Sequence, residues 1–126
     1  MKRVILKISG EALANQGGSG INPKYINKIA LEIKTLHDKG AQIGIVNGAG
    51  NMWRGRDAKA YGMPRTHADY MGMLGTIFNS LALQSSLENL GLEVKVMSAL
   101  SVPAVAEDYN SRVAKKYLEE KSAVKN

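Results

Sequence analysis

No cysteine occurs among the 126 residues, so neither a disulfide framework nor a Cys-ligated metal site can hold this fold together, and a reducing compartment is permitted. Long apolar runs are missing as well. The opening MKRVIL has a basic start, but its apolar stretch ends at Leu6 when Lys7 interrupts it, so no export signal is expected and the cytoplasm is the expected location. Nothing approaches the ~20 consecutive apolar residues of a membrane helix. Aromatic residues are only 6% of the chain and do not interleave with the basic ones, which argues against a stacking platform for nucleic acid. Acidic residues are also in deficit, eleven against seventeen Lys and Arg, for a formal charge of +6. That excess favours anionic small molecules such as nucleotides.

What is present reads as one globular domain, residues 1–126, with 44% hydrophobic and 22% charged residues. Residues 2–8 have the character of a strand buried on both faces, followed by a glycine-rich loop, NQGGSG. Asn22 as N-cap and Pro23 at the first helical position start a helix. Its apolar face is Ile26, Ile29, Ala30, Ile33 and Leu36, and Gly40 ends it. AQIGIVN, 41–47, is a second strand that runs into the small-residue turn GAGN. A longer helix is expected from Thr66 to Leu90, stopped by Gly91, with Met71, Leu74, Phe78 and Leu81 among its apolar positions. LEVKVM is a third strand. A basic helix from Asp108 to Lys121 follows, carrying Arg112, Lys115, Lys116, Lys121 and Lys125 on a solvated face, and the alternation then calls for one more strand. Strands alternating with helices predict an α/β fold, three layers α/β/α around a mainly parallel sheet.

Two small-residue turns, Ser9-Gly10 and Gly48-Ala49-Gly50-Asn51, each follow an apolar strand and should share the carboxyl edge of the sheet, where ligands of such folds gather. Their amides, aided by the helix expected after each, would suit phosphate. Lys7 at a strand end would neutralise phosphate oxygens, or else is a lysine snorkelling from an edge strand. Arg54 follows GAGN within one turn and could reach back to a phosphate seated there, or lie exposed beside Arg56. Asp69 sits three residues after Thr66, the spacing of a capping box, and could also accept hydrogen bonds from ribose hydroxyls. His37 and His67 have no partner at triad spacing. Met71 and Met73 read as core. Neither a P-loop nor a Rossmann fingerprint is present.

The segments KISGEAL, GAGNMWRG, DYMGMLGTIFNSLAL and VMSALSVPAVAEDY occur in the order and spacing of the bacterial uridylate kinase (UMP kinase) family, which the chain therefore resembles; that family lies within the amino acid kinase superfamily. The resemblance implies that Lys7, Ile8, Ser9, Gly10, Gly50 and Arg54 approach ATP, with Lys7 and Arg54 as the catalytic charges, and that Ala49 and Asp69 lie where UMP binds. It implies that the loop Asn15, Gln16, Gly17, Gly18, Ser19 and Gly20 is the segment associated with activation by GTP. It also implies magnesium with ATP, no protein-held metal, a homohexamer, pyrimidine biosynthesis in the cytoplasm, and no nucleic-acid or membrane partner. On this reading residues 1–126 are the N-terminal UMP- and phosphate-binding part of the fold, with the C-terminal ATP-binding half absent and the isolated chain inactive. Ala49 stands where the family has a middle glycine. If that position needed φ > 0 the alanine would cost about 1 kcal/mol, a feature that would suit a non-catalytic nucleotide-binding module of the same superfamily.

Overall fold

The computed structural model describes residues 2–120 and 123–125. Five parallel strands, β1 (Arg3–Ile8), β2 (Gln42–Asn47), β3 (Val94–Ser98), β4 (Glu107–Asp108) and β5 (Ala123–Lys125), form one sheet in the order β1-β2-β5-β3-β4. Three helices, α1 (Pro23–Asp38), α2 (Arg65–Asn89) and α3 (Ser111–Glu119), complete the fold.

Local chemistry accounts for much of this. The Asn22 side chain accepts from the Lys24 amide and Pro23 begins α1, while Gly40 and Gly91 take φ of 94° and 86° where α1 and α2 end. The buried side of α1, with Ile26, Ala30 and Ile33, packs with Leu83 and Leu87 of α2 onto Ile43, Ile45 and Val94 of the sheet. On the opposite face Met97 packs with Ala114 and Leu118 of α3. Helices therefore cover both sides, as the α/β/α expectation requires.

Several expectations are corrected. β1 is not buried on both faces: Val4, Leu6 and Ile8 turn toward the core while Arg3, Ile5 and Lys7 are exposed, because α3, the helix on that side, packs over β2 and β5. The basic helix is shorter than 108–121. Asn110 caps it, its side chain accepting from the amides of Arg112 and Val113, so α3 begins at Ser111; Lys125 belongs to β5, and Lys121 lies outside the described residues. The strand expected after that helix is β5, which fills the gap between β2 and β3 with Gly44 opposite Val124 and Val94 opposite Ala123. Leu74 and Phe78 are half exposed, because the side of α2 that faces the sheet carries Ile77, Leu83 and Leu87 together with Asn79 and Ser80.

Candidate functional site

β1 and β2 run parallel in register, Ile8 opposite Asn47, so the turns that leave them meet at one edge. The Gly48 amide donates to the Ile8 carbonyl at 3.0 Å. Gly10 is buried against the second turn so closely that a Cβ there would strike the Gly50 amide nitrogen and stand 2.6 Å from Asn51 Oδ1. No side chain fits between the two bends. Neither Gly48 nor Gly50 is among the glycines with positive φ. The alanine between them is accommodated because Ala49 Cβ rests against Gly75 of α2, where an added Cβ would come within 2.9 Å of it.

Four polar side chains lock this arrangement, and of these the sequence singled out only Asn51, as a member of the second turn. Asn51 and Asn79 exchange amide hydrogen bonds of 2.7 and 3.1 Å, Asn79 also donates to the Gly48 carbonyl at 2.9 Å, and Asn51 to the Gly20 carbonyl at 2.8 Å. Asn47 donates to the Thr76 carbonyl and accepts from the Ser80 hydroxyl at 2.7 Å. All four are buried, where an unpaired amide would be expensive. The available signal was the pair Asn79-Ser80 inside the otherwise apolar run TIFNSLAL, a polar interruption that must find partners.

Arg54 reaches back as its spacing suggests. Its Nε donates to the Gly50 carbonyl at 3.1 Å and its Nη2 lies 3.4 Å from Glu11 Oε1. Glu11 was not singled out in the sequence. With Gly18, Ser19, Trp53, Arg56 and Tyr61, Arg54 lines a cleft of about 360 Å³. The loop of Asn15 and Gln16 through Gly20 therefore belongs to the same place: Gly17, Gly18 and Gly20 all have positive φ, and the Gly20 amide donates to the Asn51 carbonyl at 3.1 Å. The Trp53 ring lies 6.0 Å from that of Tyr61, and its indole N–H is buried without a partner among the described residues.

Other expected residues are placed differently. Ser9 is occupied locally, its hydroxyl accepting from the Ala12 amide as it caps the 3-10 turn Gly10–Leu13. That turn and the 3-10 segment Gly55–Tyr61 are what follow the two bends, so no long helix adds its dipole there. Ile8 is half-buried in the core. Lys7 is exposed and lines a groove with Ser9, Ala12 and Glu32 of α1, separate from the Arg54 cleft. Asp69 is exposed on α2, and no capping box forms: α2 starts at Arg65 after Pro64, so Thr66 is already inside the helix and has no cap to make. Met73, rather than being core, is 38% exposed and lines a second cleft with Val46, Asn47, Thr76, Ser98 and Tyr109 at the carboxyl ends of β2 and β3. This mainly apolar hollow of about 340 Å³ has the size of a small-molecule site.

Comparison with known proteins points one way. A profile of the amino acid kinase family matches residues 2–124. The chain is 52% identical over 123 residues to the uridylate kinase of Pediococcus pentosaceus and 51% identical to that of Onion yellows phytoplasma, covering 98% of this chain and 51% of each relative. It superposes on the crystal structure of UMP kinase from Bacillus anthracis with a TM-score of 0.93 at 42% identity, covering 98% of this chain and 51% of that one. UMP kinase from Ureaplasma parvum also gives 0.93, at 35% identity, over 99% of this chain and 55% of that one. The isopentenyl phosphate kinase of T. acidophilum, at 18% identity and a TM-score of 0.66 over 99% of this chain and 54% of its own, shares the fold. The chain spans about half the length of the relatives it matches. Among the described residues no helix is long and apolar enough to cross a membrane.

Proposed function

Because this chain belongs to the amino acid kinase family, we propose that it supplies the acceptor- and phosphate-gripping part of a UMP kinase. In that reaction an oxygen of the UMP phosphate attacks the γ-phosphorus of ATP, the bond from that phosphorus to the β,γ-bridging oxygen breaks, and UDP and ADP leave. The work is positioning and charge neutralisation, with no covalent intermediate on the protein.

The observation that carries the reading is the interlocked pair of bends, Gly10 against Gly50, with the Arg54 guanidinium tethered to the Gly50 carbonyl. Backbone amides held rigidly beside a planar cation are the recurrent means of holding phosphate. In this proposal Arg54 neutralises the phosphates at the junction of donor and acceptor, and Lys7, two residues before the first bend on the same edge, does so from the ATP side with Ile8, Ser9 and Gly10. Ala49 and Asp69 attend UMP, and the hollow beside Met73 and Ser98 is the natural seat for its base. Residues 15–20, hydrogen-bonded to Asn51 through Gly20, are suited to pass an effector such as GTP on to the Gly50 turn.

In this proposal magnesium enters as the ion that ATP carries. The pathway is pyrimidine nucleotide synthesis in the cytoplasm, with assembly into homo-oligomers as a further part of the proposal.

Titration calorimetry with UMP and with ATP, paired with a coupled UDP assay, tests the reading. Binding of UMP to the 126-residue chain that is lost in Arg54→Ala supports it. Equal binding by the variant would refute it. Turnover is expected only when the remaining half found in the relatives is supplied, and steady UDP formation by this chain alone would contradict that division of labour.

A further inference from the structure

Glu11 is placed where an anion ligand would be expected. Its carboxylate lies directly over Gly50, in the space that a Cβ on that residue would fill, and Arg54 Nη2 stands 3.4 Å from Oε1. Nothing local requires an acid at this position. The 3-10 turn that carries Glu11 is already capped by the Ser9 hydroxyl, and no other hydrogen bond or ion pair engages the carboxylate among the described residues. The pairing is also loose. Charge-assisted N–H···O contacts settle near ~2.8 Å, and both side chains keep much of their exposure, 35% for Arg54 and 51% for Glu11. An ion pair of that kind contributes little to stability. A dianion with oxygens spaced for the same guanidinium and the same amides would displace it.

We infer that Glu11 is a positioning residue that acts as a stand-in anion: it keeps the Arg54 guanidinium folded over the Gly50 turn when no phosphate is bound, and gives up that place to an entering phosphate. The inference rests on the reading of the Gly10–Gly50 bends as a phosphate seat. Its consequence is a tuned affinity. An internal competitor weakens binding of every phosphate ligand while keeping a counter-charge beside the Arg54 guanidinium.

The experiment titrates the full 126-residue chain with inorganic diphosphate at low ionic strength, following the fluorescence of Trp53, the sole tryptophan and the neighbour of Arg54. Four proteins are compared: wild type, Glu11→Gln, Glu11→Asp and Arg54→Ala. Glu11→Gln is expected to bind roughly three- to tenfold more tightly, because a like charge beside the seat is gone. Glu11→Asp keeps the charge and should stay within about twofold of wild type, a rescue that a merely structural role would not produce. Unchanged or weaker binding in Glu11→Gln overturns the inference. So does a thermal midpoint lowered by more than about 5 °C in that variant, which would make Glu11 a brace. The Arg54→Ala arm separates the two levels. If it binds diphosphate as wild type does, the phosphate seat itself is wrong and the role of Glu11 falls with it. If it loses binding while Glu11→Gln shows no gain, the seat stands and the stand-in anion is rejected.

Discussion

The side-chain amides of Asn51 and Asn79 face each other across the interior, Asn79 Nδ2 donating to Asn51 Oδ1 at 2.7 Å and Asn51 Nδ2 to Asn79 Oδ1 at 3.1 Å. Both residues are buried, and between them they also hold the Gly48 and Gly20 carbonyls. Replacing either by alanine strands its partner without water. Each of Asn79→Ala and Asn51→Ala should cost roughly 2 to 4 kcal/mol in urea unfolding, and the double variant distinctly less than the sum. Additive losses would show that the two amides do not act as a unit.

Gly75 and Ala49 form a second complementary pair. A Cβ on Gly75 would come within 2.9 Å of Ala49 Cβ and 3.4 Å of Met52 Cβ. Gly75→Ala is expected to destabilise the chain by about 1 to 3 kcal/mol through overpacking, and Ala49→Gly in the same chain should recover most of that loss. The thermal midpoints of the two single variants and the double variant measure it.

Two glycines of the site should respond in opposite ways to the same change. At Gly10 the added methyl meets backbone, the Gly50 amide and the Ala49 carbonyl carbon at 2.9 Å, which cannot step aside. At Gly50 the nearest atoms it meets all belong to the Glu11 side chain, which can swing into solvent. Gly10→Ala is therefore expected to lose more than about 3 kcal/mol. Gly50→Ala should lose under about 1.5 kcal/mol and be relieved further by Glu11→Ala. Equal losses would mean that the bends are not locked as described.

Lys7 is exposed on β1, at the edge of the sheet. Lys7→Ala should leave stability within about 0.5 kcal/mol, yet lower kcat more than tenfold when this segment is joined to the remaining part of an active uridylate kinase relative. An unchanged rate would remove Lys7 from the phosphoryl-transfer step.

On the far edge of the sheet the Tyr117 hydroxyl donates to Glu107 Oε1 at 2.6 Å, and this bond, with some burial and the nearby carboxylates, raises the phenol above its ordinary value of 10.0. A group whose folded pKa is raised adds stability that is complete below its unfolded pKa and disappears as pH rises through the folded one. The unfolding midpoint should therefore fall more steeply above about pH 10 in wild type than in Tyr117→Phe. Parallel profiles would contradict the bond.

Those features that depend on neighbours in the chain were legible in its residues. Asn22 and Pro23 opened α1 and Gly40 closed it, Gly91 closed α2, and the apolar period of 41–47 marked β2, because caps, left-handed glycines and strand alternation act over a few residues. The two small-residue bends and the backward reach of Arg54 were visible for the same reason.

What the residues alone left open is whatever depends on partners far away in sequence. The exposure of Lys7 followed from the placement of α3 over β2 and β5, which tertiary packing decides. The capping box of Thr66 and Asp69 failed because the chain enters α2 one residue earlier, from Pro64. The meeting of Asn51 with Asn79, of Ala49 with Gly75 and of Glu11 with Arg54 joins positions 28, 26 and 43 apart. A short-range code cannot carry such distances. Composition and local pattern determined which elements form and where their ends lie; only packing decided which polar groups must satisfy one another at the bends, since burial is a property of the assembled core.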